Sequence, residues 1–262
     1  MRNRAALNLC TLGRTSLEKK LYAASTAGFG AVGMSQADLE APDERGRQEL
    51  RLSELPVAEL GGVAGWMEPG RTARTMALMQ AESVFATAAE IGAGVVIAWP
   101  SDEPVDLVAA ATYFGDLCRA AEPLGVLVGL EFLGNSRTVP TLDAAWEIVE
   151  VAEAANGGLV IDTFHFLWGG SRIEMIDELP AERIYLVQVS DAPDLPRTEL
   201  EDRHRLYPGA GALELEPLLA AIRGKEYRGY YSLELHNEEY WDEDPIVVAV
   251  EGFRSMRRLD LT

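Results

Sequence analysis

The chain has 262 residues, is 48% hydrophobic and carries a formal net charge of −19. That length suits one large α/β domain or two small ones, and the apolar content implies a folded core rather than disorder. The negative charge sets the chain against nucleic acid and anionic lipid, and no apolar run approaches the roughly 18 residues that span a bilayer.

The start, "MRNRAALNLCTLG", has basic residues before an apolar stretch, as a signal peptide does. That stretch is short and no small-x-small cleavage site follows, so it reads as a first strand, Ala6–Cys10. Further strands are expected at Ala31–Ser35, Val57–Leu60, Val95–Trp99, Val126–Glu131, Leu159–Asp162, Ile184–Val189 and Tyr230–Glu234. Blocks such as "GVVIAW", "VLVGLE" and "GLVID" are continuously aliphatic, as parallel strands covered on both faces are. Amphipathic segments separate them. "VDLVAAATYFGDLCRAAEPLG" puts Val108, Ala111, Phe114, Leu117, Cys118 and Ala121 on one stripe. "TLDAAWEIVEVAEAANGG" offers Thr141 as an N-cap, Leu142, Ala145, Trp146 and Val149 at helical spacing, and a glycine stop.

Eight βα units averaging about 30 residues fit a single-domain (β/α)8 TIM barrel over residues 1–262, a fold that needs ~250 residues. A doubly wound open sheet is the alternative, and it wants a Gly-rich turn after the first strand. "CTLGRTS" is not such a turn, and "GGVAG" (Gly61–Gly65) lacks the spacing and follows the third strand. No linker, repeat or low-complexity tract divides the chain. The least regular stretch, Asp191–Ala212, is expected to be a long βα loop on the functional face. Cys10 and Cys118, the only cysteines, read as reduced core residues of a cytoplasmic protein rather than as a disulfide or a zinc site.

Reading each strand to its C-terminal end gives a pattern. Strand five ends on Glu131 and strand six on Asp162, with His165 just beyond. Strand seven has Gln188 near its end, and strand eight ends on Glu234, with His236 two residues further on. Parallel barrel strands bring those ends to one rim. A lone strand-end acid serves as a loop cap or an ion-pair partner, but such caps have no reason to align on four successive strands. Three carboxylates and a carboxamide meeting there would repel unless a cation joined them, and hard oxygen donors suit Mg²⁺, Mn²⁺ or Co²⁺.

The run of "LE" on strand five, "DTFH" on strand six, "QVSD" on strand seven, "LYPGAG" in the following loop and "SLE" on strand eight resembles the xylose-isomerase-like TIM barrels. That family includes sugar-phosphate isomerases and epimerases, inosose dehydratases and ketose 3-epimerases. The resemblance implies one divalent metal ion held by Glu131, Asp162, Gln188 and Glu234, and a substrate contact from His165. Many relatives have histidine at the Gln188 position; a neutral amide oxygen favours Mn²⁺ or Mg²⁺ over Zn²⁺. Arg205 in "RHRLYPGAG" resembles the family's substrate-binding loop arginine, and a guanidinium fork suits polyol or carboxylate oxygens. Trp99 and Trp66 are candidate walls against a sugar face, and His236 is a candidate substrate contact, although tryptophan more commonly packs in a core. The ketose 3-epimerases carry a second glutamate six residues after the strand-five ligand, where this chain has Arg137. That departure points away from free ketoses and towards an anionic or cyclic polyol substrate, with Arg137 a candidate contact.

The implied activity is proton abstraction alpha to a metal-bound carbonyl through an enediolate, with Glu131, Glu234 and His165 as catalytic groups. The expected product is an isomer or epimer of a carbohydrate-like ketone; dehydration of a cyclic polyol ketone such as an inosose or dehydroshikimate, by loss of a β-hydroxyl, is the alternative. A DNA-repair endonuclease shares the fold, and Asp202 and His204 in "EDRHRLYPG" echo its ligands, but a trinuclear zinc site needs more than three histidines. A non-catalytic binding subunit with a degenerate site is the remaining alternative. Homodimers or homotetramers are the assemblies expected of such barrels.

Overall fold

Eight parallel strands pair in sequence order, and the eighth pairs with the first. In this computed structural model, which describes residues 3–39 and 45–262, a closed barrel therefore replaces the alternative of an open sheet. The strands are β1 (Ala5–Asn8), β2 (Ala31–Ser35), β3 (Val57–Val63), β4 (Val96–Ala98), β5 (Val128–Glu131), β6 (Gly157–Asp162), β7 (Ile184–Val189) and β8 (Tyr230–Leu233). The helices that alternate with them begin with α1 (Leu17–Ala27), α2 (Gln36–Leu39), α3 (Arg45–Ser53) and α4 (Arg71–Ile91). After them come α5 (Leu107–Ala121), α6 (Leu142–Ala152), α7 (Thr163–Gly169) and α8 (Met175–Glu178). The chain closes with α9 (Leu215–Gly224), α10 (Glu238–Trp241) and α11 (Pro245–Arg258). Among the described residues, no helix is long and apolar enough to cross a membrane.

Of the basic start, Met1 and Arg2 lie outside the described residues; Ala5–Asn8 form β1 between β2 and β8. β1 stops two residues before the expected end. The Asn8 side chain accepts from the Cys10 N–H and begins a 3-10 turn over Leu9–Leu12. Cys10 is thereby carried out of the sheet and left half-buried, whereas Cys118 is buried in α5 as expected. On the α5 stripe, Val108 departs from expectation: it lies in the first turn and is 63% exposed, while Ala111, Phe114, Leu117, Cys118 and Ala121 are buried. Thr141 caps α6 through the Ala144 N–H. The stop of α6 is Glu153 in the left-handed conformation (φ 51°), not a glycine. Gly157 instead opens β6, where the Phe114 ring and Cys118 Sγ crowd the space a Cβ would take.

The barrel interior is layered, as expected when alternate residues face inward. Ala6, Ala31, Ala58, Val95, Ile97, Val160 and Leu186 form an apolar cluster separate from the main core between strands and helices. Two residues further along their strands come Asn8, Gly33, Trp99, Asp162 and Gln188, so the next layer up is polar. β3 reaches this layer differently. Its pairing with β2 runs Val32 to Val57 and then Gly33 to Glu59, skipping Ala58, and that bulge turns the Glu59 carboxylate into the barrel.

The segment after β7, expected as a long loop, is irregular apart from 3-10 turns at Arg197–Glu199 and Asp202–His204. Asp191 holds it together. Its carboxylate accepts from the backbone N–H groups of Ala192, Gly209, Gly211 and Leu213, at 2.8–3.0 Å. Asp191 is itself buried and also bridges to Leu206, one residue after Arg205. Asp191→Ala would leave those buried donors unpaired, so urea unfolding should show a loss of roughly 2–4 kcal/mol. Wild-type stability in the variant would mean that the loop is held by other contacts.

Candidate active site and metal centre

Four residues singled out on the strand ends arrive together. Glu131, Asp162, Gln188 and Glu234 are 3%, 0%, 0% and 7% exposed at the C-terminal rim. Ligand-type oxygens of Glu131, Asp162 and Glu234 lie within 4.8 Å of one another. Asp162 closes β6 and caps α7: its Oδ1 accepts from the His165 N–H at 2.8 Å. The cap turns His165 back over the site, where it lines the cavity. Glu131 Oε2 accepts from Trp99 Nε1 at 2.8 Å, and Glu234 Oε1 accepts from Asn8 Nδ2 at 2.8 Å.

Gln188 is fixed by Glu59, which the pattern of strand ends does not name. Its Nε2 donates to Glu59 Oε2 at 3.1 Å, and its Oε1, fully buried, has no hydrogen-bond partner. Glu59 Oε1 accepts from Ser232 Oγ at 2.5 Å and from Asn8 Nδ2 at 3.1 Å. The carboxylate fits because β2 has glycine alongside: a Cβ on Gly33 would collide with Glu59 Oε1. A buried acceptor without a donor is costly, and a cation is one way to satisfy it. The three carboxylates offer an oxygen donor set able to chelate a divalent ion, and Gln188 pairs in register with Asp162 beside it.

The electrostatics show the strain of packing acids together. Burial, then the charge of Glu234, pushes the Glu59 carboxyl up to about 8. Burial, Glu234 and Asp162 likewise raise Glu131 well above the ordinary carboxylate value. Burial would raise Asp162 too, but the Arg205 guanidinium and His165 outweigh it and hold that carboxyl down. Arg205 is 1% exposed; its Nη1 donates to Asp162 Oδ2 at 2.6 Å and lies 3.7 Å from Glu234 Oε2, and its guanidinium sits over the Phe164 ring. Burial opposes the Arg205 charge, yet Asp162, Glu234 and Asp202 outweigh it and raise its pKa. Burial lowers the His165 pKa, and Arg205 adds to this against the opposing charge of Asp162. Hydrogen-bond donors face both of its ring nitrogens, Gly134 N–H at Nδ1 and Arg205 Nη2 at Nε2.

Residues 21–259 match the xylose isomerase-like TIM barrel family. The chain belongs to that family. This xylose isomerase-like barrel is 34% identical over 257 residues to a 3-dehydroshikimate dehydratase of Pseudomonas aeruginosa, a match covering 94% of this chain and 40% of that protein. It is 38% identical over 127 residues to an inosose isomerase of Bacillus subtilis, covering 48% of this chain and 46% of that protein. The chain thus spans 40% of the length of the dehydratase it matches. Among solved structures, a xylose isomerase-like TIM barrel/4-hydroxyphenylpyruvate dioxygenase fusion protein superposes with a TM-score of 0.91 at 25% identity, covering 99% of this chain and 43% of that one. An IolI protein with a bound zinc atom superposes with a TM-score of 0.87 at 23% identity, covering 98% of this chain and 96% of that one, and shows the shared fold.

In this xylose isomerase-like barrel the cluster opens into a cavity of about 590 Å³, lined by Trp99, Glu131, His165, Arg205, Glu234 and His236 among others. Two candidates lie elsewhere. Trp66 is buried against Phe114, with its indole N–H on the Trp99 carbonyl, so it supports Trp99 from behind rather than facing the cavity. Arg137 is exposed and outside the lining, because the loop after β5 turns back where Leu133 N–H meets the Val139 carbonyl. Cys10, read as a core residue, lines the cavity instead, since β1 ends before it. Glu59 carried one signal in the sequence: a glutamate between Ala58 and Leu60, inside an apolar strand.

The raised Glu59 pKa sets a pH dependence for the metal-free protein. Between the ordinary carboxylate value and about 8, the folded chain keeps a proton that the unfolded chain has released. Stability therefore falls as pH rises through that window, by about 1.4 kcal/mol per unit for each such group. Urea unfolding between about pH 5 and 8 should show this fall, and Glu59→Gln should reduce its slope by about one proton. An unchanged slope in the variant would contradict the assignment.

Proposed function

We propose that this chain removes the proton alpha to the carbonyl of a small cyclic polyol ketone, with one divalent cation held by Glu131, Asp162, Gln188 and Glu234. Loss of a neighbouring hydroxyl as water then completes the reaction, which makes the chain a dehydratase. The observation that carries the first half is the buried rim of three carboxylates; Gln188, whose amide oxygen has no donor, pairs in register with one of them, Asp162. Support for the second half is the likeness, along 94% of the chain, to a 3-dehydroshikimate dehydratase. Mn²⁺ or Mg²⁺ suits the oxygen donors best. Bound there, the ion supplies positive charge where the carbonyl oxygen becomes negative.

The chain's own residues do the rest. Glu234 on the β8 side and Glu131 on the β5 side reach the site from different strands, and these two carboxyls move the carbon-bound proton. His165 Nε2 lies 3.8 Å from Glu131 Oε1, so the proton that Glu131 takes from carbon can pass to the imidazole and from it to the departing hydroxyl, which leaves as water. Arg205, tied to Asp162 and close to Glu234, balances the acids and presents its face to the cavity. Trp99 both walls the cavity and fixes Glu131. His236 stands at the same cavity as a further substrate contact, and the Phe164 ring keeps water from the Arg205 side.

Isomerisation, in which the proton returns instead, is the second reading. The identity to an inosose isomerase over about half of the chain supports it. One experiment separates the two. The Mn²⁺-loaded protein is incubated in deuterium oxide with 3-dehydroshikimate, inososes, ketoses and sugar phosphates. Dehydration gives a product lighter by one water, and isomerisation gives one of equal mass with solvent deuterium on the α-carbon. Glu131→Gln and Glu234→Gln should each stop either outcome. A product with neither water loss nor solvent label would replace proton abstraction by a hydride shift.

A further inference from the structure

Beside the oxygen-rich rim lies a second convergence of ligand-type atoms, made of Cys10, His236 and Glu234. Cys10 Sγ is 3.8 Å from His236 Nε2, which in turn is 3.8 Å from Glu234 Oε1. All three atoms fall within 4.8 Å of one another, and all three residues line the cavity. Tetrahedral zinc with S at ~2.3 Å and N or O at ~2.0–2.1 Å has S···N and N···O edges of about 3.6 and 3.4 Å. The two edges that meet at His236 Nε2, each 3.8 Å, therefore stand a few tenths of an ångström from those of a zinc polyhedron, and the third lies within 4.8 Å.

The geometry points to a soft-cation site, of the zinc class, built from the Cys10 thiolate, the His236 imidazole and Glu234 Oε1, and joined to the oxygen-rich site through the Glu234 carboxylate. This goes beyond the proposed reaction, which uses neither the thiol nor a second ion. The donor set differs in kind from its neighbour: sulfur and nitrogen select zinc or cobalt, whereas four oxygens select manganese or magnesium. Glu234 can serve both sides. Its Oε1 faces His236 and Asn8, and its Oε2 faces Arg205, which also holds Asp162.

The site is held in place by its surroundings. The Cys10 N–H donates to Asn8 Oδ1 at 3.1 Å, and its carbonyl accepts from Trp241 Nε1 at 3.0 Å. Thr11 Oγ1 donates to the Leu233 carbonyl and accepts from the Leu235 N–H, which ties the turn after β1 to the end of β8. These bonds fix the backbones that carry the thiol and the imidazole, and ordered ligands favour tight binding.

Cobalt(II) titration of the full chain tests this. Wild-type protein should develop a thiolate-to-cobalt charge-transfer band in the near ultraviolet, and zinc should displace the cobalt and bleach the band. Cys10→Ser and His236→Ala should lose the band, and Glu131→Gln, at a carboxylate of the oxygen-rich site bonded to Trp99, should keep it. No band in the wild type, or a band that survives Cys10→Ser, overturns the inference whether or not the variants are stable. Mn²⁺ binding measured on the same samples separates the two sites. Mn²⁺ bound without a cobalt–thiolate band sinks this inference alone, and the reverse pattern sinks the oxygen-rich site alone.

Discussion

More carboxyl groups are buried at one end of the barrel than can all be charged at once. Glu59, Glu131, Asp162 and Glu234 are all buried at one end of the barrel, and among the described residues Arg205 is the guanidinium that reaches them. The result is visible in the pKa directions: two carboxyls are pushed up, while the one in direct contact with Arg205 is pulled down. Uncompensated buried charge is expensive, and proteins keep it where it does chemistry. A divalent cation among these acids would relieve the repulsion.

The fold explains how the acids come to be there. Parallel strands alternate their side chains, so a closed barrel stacks an apolar layer under a polar one. The bulge at Ala58 adds Glu59 to that polar layer, and Gly33 leaves the room its carboxylate needs. Glu59 then turns the Gln188 amide so that nitrogen faces the strand layer and oxygen is left over. The loop after β7 supplies the counter-charge. Asp191 folds that loop through four backbone bonds, and Arg205, one residue before its bridge to Leu206, is thereby delivered onto Asp162.

Most of this was legible from residue order. Aliphatic blocks located all eight strands, with Ala31–Ser35 and Ile184–Val189 at their observed bounds. Strand ends named Glu131, Asp162, Gln188 and Glu234 because a period of two has one consequence at a barrel rim. The failures have local causes. Glu59 was hidden because a bulge breaks the alternation that would have aimed it inward. Cys10 looked like core because an apolar run does not reveal that a side-chain cap will end a strand at Asn8. Trp66 and Arg137 come from loops, whose paths depend on long-range bonds that no spacing rule encodes.

The central claim is that one cation binds four named oxygens, and diffraction from crystals grown with Mn²⁺ and measured for anomalous signal tests it most directly. The account predicts one strong peak roughly 2.1 Å from carboxylate oxygens of Glu131, Asp162 and Glu234 and from Gln188 Oε1. It also predicts that Gln188 Nε2 still donates to Glu59. A rim without such a peak under saturating Mn²⁺, or a peak that leaves Gln188 unbound, would contradict it.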